Sequence, residues 1–127
     1  MRRRFFAVAP SVLILLAVVV LSIMPAAGQD ALRKATGDRG FRAMEAGRYE
    51  TAETLFLAAV KAGSRSGSRD AAAVHSLRGL GLVRLHQGRY AEAVDLLRQA
   101  VQMAEGSEGP STKLAADAIH DLASAYF

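Results

Sequence analysis

The chain has no cysteine and no tryptophan, and a reading of its full length finds no asparagine. Without cysteine there is no disulfide framework, no thiol nucleophile and no Cys-based zinc site. A real excess of positive charge is missing too, although the formal net charge is +4 and the pI is near 10.0. Three of the 16 basic residues are Arg2, Arg3 and Arg4. Setting residues 1–28 aside leaves 13 basic against 12 acidic, a net of +1. A domain so close to neutral carries no electrostatic footprint for phosphate backbones, which excludes nucleic acid as a leading partner. What is present is 51% hydrophobic and 22% charged in 13.5 kDa. That is a globular or partly membrane-bound composition of one domain, two at most.

The amino-terminal segment has its own pattern. Three arginines precede an apolar stretch from Val12 to Met24, broken only by Ser22, and Pro25-Ala26-Ala27-Gly28 follows before the first acid, Asp30. A positive stretch, an apolar stretch and small residues spaced A-x-G read as a secretory signal over residues 1–28, cut to leave Gln29 first. The competing reading is a retained anchor. A spanning helix needs about 20 apolar residues, and Phe5 through Ala27 supplies roughly that, interrupted by Pro10, Ser11 and Pro25. Under both readings residues 30–127 lie across the membrane from Arg2–Arg4. The protein is then periplasmic or secreted, or anchored in the inner membrane through residues 5–27 with the rest outside the cytoplasm.

Residues 30–127 repeat themselves. Gly47-Arg48-Tyr49-Glu50-Thr51-Ala52-Glu53 matches Gly88-Arg89-Tyr90-Ala91-Glu92-Ala93-Val94 at an offset of 41. The same offset carries Gly40 onto Gly81, Met44 onto Leu85, Phe56 onto Leu97 and Ala59 onto Ala100. A fixed period of this size marks a helical array in which each unit needs neighbours to bury its face. Each unit reads as two helices. In the second unit, Val74, Leu77, Leu80 and Leu85 recur at helical spacing, and Gly88 is placed to end the helix in the left-handed conformation. A second helix from near Arg89 aligns Tyr90, Ala93, Val94, Leu97, Ala100 and Val101 on one stripe. Gly81 and Ala93 remove bulk where the two helices meet, with Leu97 and Tyr90 filling the volume around the contact. Tyr49, at the equivalent position, is also a packing residue. The first unit is weaker, with Thr36 and Arg39 where the second has Leu77 and Leu80, and its first helix, roughly residues 30–46, contains Gly37 and Gly40. Loops are expected at Gly63–Arg69 and Gly106–Ser111, with Asp70 and Ser111 as N-caps. The first repeat thus covers 30–63, and the second covers 70–106. Positions 111–127 form a third first helix, because an offset of 42 carries Leu77, Leu80 and Gly81 onto Ile119, Leu122 and Ala123.

Leu80-Gly81, Tyr90, Ala93, Leu97 and Ala100 resemble the tetratricopeptide repeat, with small, aromatic and alanine positions in the family order. The period of 41–42 and Gly109-Pro110 before the third helix are similar to the kinesin-light-chain-like long-repeat subgroup. The resemblance implies an all-α fold: a signal or anchor helix, then about two and a half antiparallel helix pairs stacked as a right-handed solenoid. It also implies a concave face lined by the first helix of each unit and used to bind peptides. Family register places Lys34, Phe41, Glu45, His75, Arg78, Leu82, His86, Asp117 and His120 there. The set is mixed in charge with two apolar members, which suits a peptide or partner helix. The family's carboxylate clamp relies on asparagine and is not carried over, and His120-Asp121 and Arg78-Gly79 stand where the subgroup has Asn pairs.

Catalytic and metal chemistry find no footing. His75 and His86 are three helical turns apart, about 16 Å along one helix, and cannot share a metal. His120 can approach His75 from the adjacent unit, but two histidines make a poor zinc site. All three read as solvated groove residues. The loop serines read as turn chemistry, and Glu53 and Glu92 as outward residues near helix amino ends, where the macrodipole favours acids. No nucleophile, base and orienter set is present, so no enzyme activity and no cofactor is expected. The function expected is an exported protein-interaction scaffold. The alternative is the substrate-recruiting amino-terminal module of a larger exported enzyme or secretion component, since another Gly-x-Tyr turn would fall just past residue 127. The third first helix ends on apolar Tyr126-Phe127, which predicts self-association through that helix.

Overall fold

A computed structural model describes residues 9–23, 25–108 and 113–127. Among these residues there are six helices and no strand: α1 (Pro10–Ile23), α2 (Ala26–Glu45), α3 (Tyr49–Ser66), α4 (Ala71–His86), α5 (Tyr90–Glu108) and α6 (Lys113–Tyr126). The chain divides into two compact units, Met1–Ala31 and Leu32–Phe127.

In the first unit α1 is an apolar helix of 14 residues, with Val12, Ile14, Leu15 and Ile23 exposed. At 1.5 Å per residue it extends about 21 Å, short of the roughly 30 Å hydrocarbon core of a bilayer. No helix among the described residues is long and apolar enough to cross a membrane. Arg2–Arg4 and Phe5 lie outside the described residues.

The second unit is a stack of antiparallel helix pairs. The sequence repeat appears as a repeated turn. After α2, Gly47 N–H donates to the Met44 carbonyl at 2.9 Å and Arg48 N–H to the Ala43 carbonyl at 2.8 Å. After α4, Gly88 donates to Leu85 at 3.1 Å and Arg89 to Arg84 at 2.9 Å. Gly47 and Gly88 sit at φ +76 and +74, where only glycine is unstrained, so each helix ends in the same left-handed cap.

Side-chain size then sets how closely the helices approach. Phe56 of α3 is fully buried, and its ring lies between Gly40 of α2 and Gly79 of α4. A Cβ added at Gly40 would fall 2.7 Å from the ring, and one at Gly79 would fall closer still. One pair later, a Cβ at Gly81 would meet Leu97 at 2.7 Å and the Ala93 carbonyl at 3.5 Å. The close approach expected around Gly81 and Ala93 is therefore present. Two apolar clusters result. One joins Ala43, Ala52, Phe56, Leu80 and Val83; the other joins Val74, Leu77, Ala100, Ala104, Ala115 and Ala118. α4 contributes to both and packs against α3, α5 and α6.

Several expectations need correction. Tyr90 is 61% exposed and does not fill the α4–α5 contact, where Leu97 lies against Gly81. Its counterpart Tyr49 does pack, its ring stacked on His86 at 4.8 Å. Glu53 does not face outward. Its carboxylate is hydrogen-bonded by Arg84, itself buried, and by Gln87 at 2.8 Å. These bonds hold the Glu53 carboxyl below its ordinary range. Glu92 is exposed but reaches the same arginine at 3.2 Å. Gly63 is not a loop residue: α3 continues to Ser66 and stops at Gly67, whose φ of +65 makes the left-handed cap. α2 begins at Ala26, ahead of the expected start near Asp30, with Gln29 N–H already bonded to the Pro25 carbonyl. α5 likewise continues through Gly106 to Glu108, past the expected start of the second loop, and Ser111 with the rest of that loop lies outside the described residues.

Asp70 caps α4 as expected, accepting from Ala73 N–H at 3.0 Å. It has a second partner that spacing did not reveal. Arg33 of α2, 3% exposed at its side chain, donates two hydrogen bonds to the Asp70 carboxylate at 2.9 and 2.6 Å. The fork ties the first helix of one unit to the start of the next and holds the Asp70 carboxyl below its ordinary range.

Candidate partner-binding face

α2, α4 and α6, the first helices of successive units, are joined side by side by polar and aromatic contacts. Between α2 and α4, the Phe41 ring lies 4.2 Å from His75, and the Asp38 carboxylate is 3.8 Å from His75 Nε2. Between α4 and α6, Arg78 Nε donates to Asp121 at 2.7 Å, with Asp117 3.9 Å from the same guanidinium. Asp117 also accepts from Lys113 one turn earlier at 2.9 Å. These contacts link Phe41, His75, Arg78 and Asp117, four of the residues placed here by register, into one strip across three helices. Two more, Lys34 and His120, lie close enough to act electrostatically on His75 and Asp117 respectively.

The strip differs from a row of solvated side chains. His75 is half-buried between Phe41 and its charged neighbours, which corrects its reading as a solvated groove histidine. Burial, helped by the positive charges of Arg78 and Lys34, pushes its pKa down, and Asp38 only partly opposes the shift. Arg78 is 14% exposed at its side chain and is held by Asp121, itself 11% exposed. Its Nε is engaged by Asp121, so it braces α4 against α6. Asp117 is held below the ordinary carboxylate range, first by the hydrogen bond from Lys113. The remaining three stand apart. Glu45 is exposed at the end of α2, Leu82 is half-buried on α4, and exposed His86 turns to the Tyr49 ring of α3. Among the described residues no group of three or more His, Asp or Glu is arranged to hold a metal ion.

Spacing missed Asp38 and Asp121. Asp121 had a usable signal. Its separation of 43 from Arg78 is close to one repeat, so opposite charges fall on neighbouring first helices. Asp38 and His75 are separated by less than one full repeat, and no simple repeat arithmetic pairs them.

Stacked helix pairs with paired charges and apolar side chains along one edge define an α-solenoid of the kind that presents an extended surface to other proteins. A family model described as tetratricopeptide repeat matches residues 35–106 and again residues 70–127. The chain belongs to the tetratricopeptide repeat family, a family of generally non-catalytic protein-interaction modules. Searches of curated proteins and of solved structures returned no match.

Proposed function

We propose that this repeat unit is an exported scaffold that binds a peptide or a partner helix along the α2–α4–α6 strip. The observation that carries the reading is the continuity of that strip: Phe41, His75, Arg78 and Asp117 joined across three helices, flanked by exposed Lys34 and His120. The cations and anions on it compensate one another, so it favours hydrogen bonding to a mixed peptide over phosphate. Export rests on the Arg2–Arg4 cluster, the apolar run that forms α1 and the small residues before Gln29. The short span of α1, 14 residues, favours a cleaved signal over a retained anchor. The period of 41–42 supports membership of the long-repeat subgroup. Exposed Ile119 and Tyr126 support self-association through α6, which light scattering on the purified chain tests by its mass.

The test is capture from envelope extract with the carboxy-terminally tagged full chain, identification by mass spectrometry and an intact mass of the bait. The expected outcome is a mass starting at Gln29 and a partner that the Lys34→Glu/His120→Glu variant fails to retain while keeping its helical melt. A partner held equally by that variant removes the strip as the binding face. A bait recovered only in membranes with residues 1–28 intact removes cleavage.

A further inference from the structure

Away from the strip, α3, α4 and α5 enclose a cleft of about 400 Å³, at the lower end of the size range of ligand sites. Its floor is apolar: Val60, Ala73, Leu77 and Met103. Its rim carries Arg69 and Gln99, and among the described residues neither side chain has a hydrogen-bond or ion-pair partner. Gly63 and Gly67 both border the cleft without side chains.

Among the residues that line the cleft, Arg69 alone is charged. From Leu57 through Arg69 the ionisable residues are Lys61, Arg65 and Arg69, with no acid among them. The next residue, Asp70, has its carboxylate occupied by Arg33 and the Ala73 N–H. An apolar floor beside an uncompensated guanidinium selects a ligand with an aliphatic group and a carboxylate close together. We infer that this cleft is a second docking site, which takes an aliphatic side chain of a partner polypeptide while Arg69 pairs with an adjacent Asp or Glu carboxylate. It is built from α3, α4 and α5 and does not use the α2–α4–α6 strip.

Methionine methyl groups give a direct test. Met103 lines the cleft, whereas Met44 belongs to the Phe56 cluster and serves as an internal control. The full chain is labelled with methyl-13C methionine, Met103 is assigned through Met103→Leu, and three blocked dipeptides are titrated: Ac-Leu-Glu-NH2, Ac-Leu-Gln-NH2 and Ac-Gly-Glu-NH2. Saturable movement of the Met103 signal with Ac-Leu-Glu-NH2, with Met44 still, is the expected result. Replacing Glu by Gln in the peptide, or Arg69→Gln in the protein, is expected to weaken binding roughly two- to fivefold, as loss of a partly exposed ion pair does. Ac-Gly-Glu-NH2 is expected to leave Met103 in place. The proposal is overturned if Met103 ignores all three peptides, if the glycine peptide works as well as the leucine one, or if neither the Gln peptide nor Arg69→Gln weakens binding. A Met103 signal that moves with protein concentration alone assigns the cleft to a second copy and likewise overturns it. The Lys34→Glu/His120→Glu variant is expected to respond like wild type, so failure of the strip reading leaves this result standing.

Discussion

Gly79→Ala is expected to destabilise the repeat unit even though alanine is the better helix former. The substitution gains about 1 kcal/mol of helix propensity. Against that, the new methyl lies 2.7 Å from Cδ1 of Phe56 and closer still to Cε1 and Cζ. The ring is rigid and fully buried, and its retreat is closed by Gly40 on the far side and by the edge of Phe41 at a centroid distance of 4.9 Å. Overpacking of this kind costs about 1–3 kcal/mol, and a ring confined on both sides belongs at the upper end. The net loss is about 2 kcal/mol, which lowers Tm by roughly 10 °C in a unit of this size. Gly106→Ala is the paired control. Nothing lies within 4 Å of its added Cβ, so the propensity gain stands alone and Tm rises by a few degrees. Far-UV circular dichroism melts of the full chain, followed by urea titration, measure both. Adding Phe56→Leu to Gly79→Ala should recover part of the loss, giving a coupling term that independent sites do not show. A Gly79→Ala chain that melts at or above wild type refutes the packing argument.

Asp70→Ala removes a helix cap worth about 1 kcal/mol and takes the two carboxylate hydrogen bonds away from the buried Arg33. Because the Asp70 side chain is 48% exposed, the total is expected near about 2–4 kcal/mol rather than at the extreme for a buried pair. The Arg33→Met/Asp70→Ser chain, which keeps a cap and buries no charge, should recover most of it in the same urea titration. The Asp70 carboxyl titrates below its unfolded value of 3.8, so its contribution is complete above that value and is lost as pH falls through the folded pKa. Asp70→Asn should therefore flatten the acid limb of the stability curve. His75 has a folded pKa below its unfolded 6.5, so the unfolded chain binds more protons between the two values. Stability should decline as pH falls below about 6.5, and His75→Gln should abolish that decline in melts taken from pH 7.5 to 5. Gly88→Ala places a Cβ at φ +74 and should cost about 1 kcal/mol, with Gly88→Asn costing less because asparagine tolerates the left-handed region; the same melts rank the two.

The legible part of this chain was its periodicity. Gly47-Arg48-Tyr49 and Gly88-Arg89-Tyr90 recur because each helix pair must end its first helix in a left-handed turn, and that requirement is local. The Gly81–Leu97 approach and the Asp70 cap were legible for the same reason: small residues and capping acids act within a few residues or across one turn. Phe56 was readable as a core residue, but its confinement between Gly40 and Gly79 was not, because the two glycines are distant in the chain and sit on different helices. The candidate strip was partly readable. Register put His75, Arg78 and Asp117 on first helices, while their brace to Asp121 and the approach of Asp38 depend on how far one helix is shifted along the next.

Sequence by itself determined the helix-pair repeat, its long period, the glycine-capped turns and the near-neutral balance of positions 29–127. Tertiary structure alone decided which equivalent positions became different things. Tyr49 stacks on His86 while Tyr90 is exposed, and Glu53 turns inward to a buried arginine. Identical local sequence specifies identical turns, because backbone dihedrals depend on near neighbours. Burial and pairing depend on what lies on the adjacent helix, and in this array the neighbours of equivalent positions are not the same.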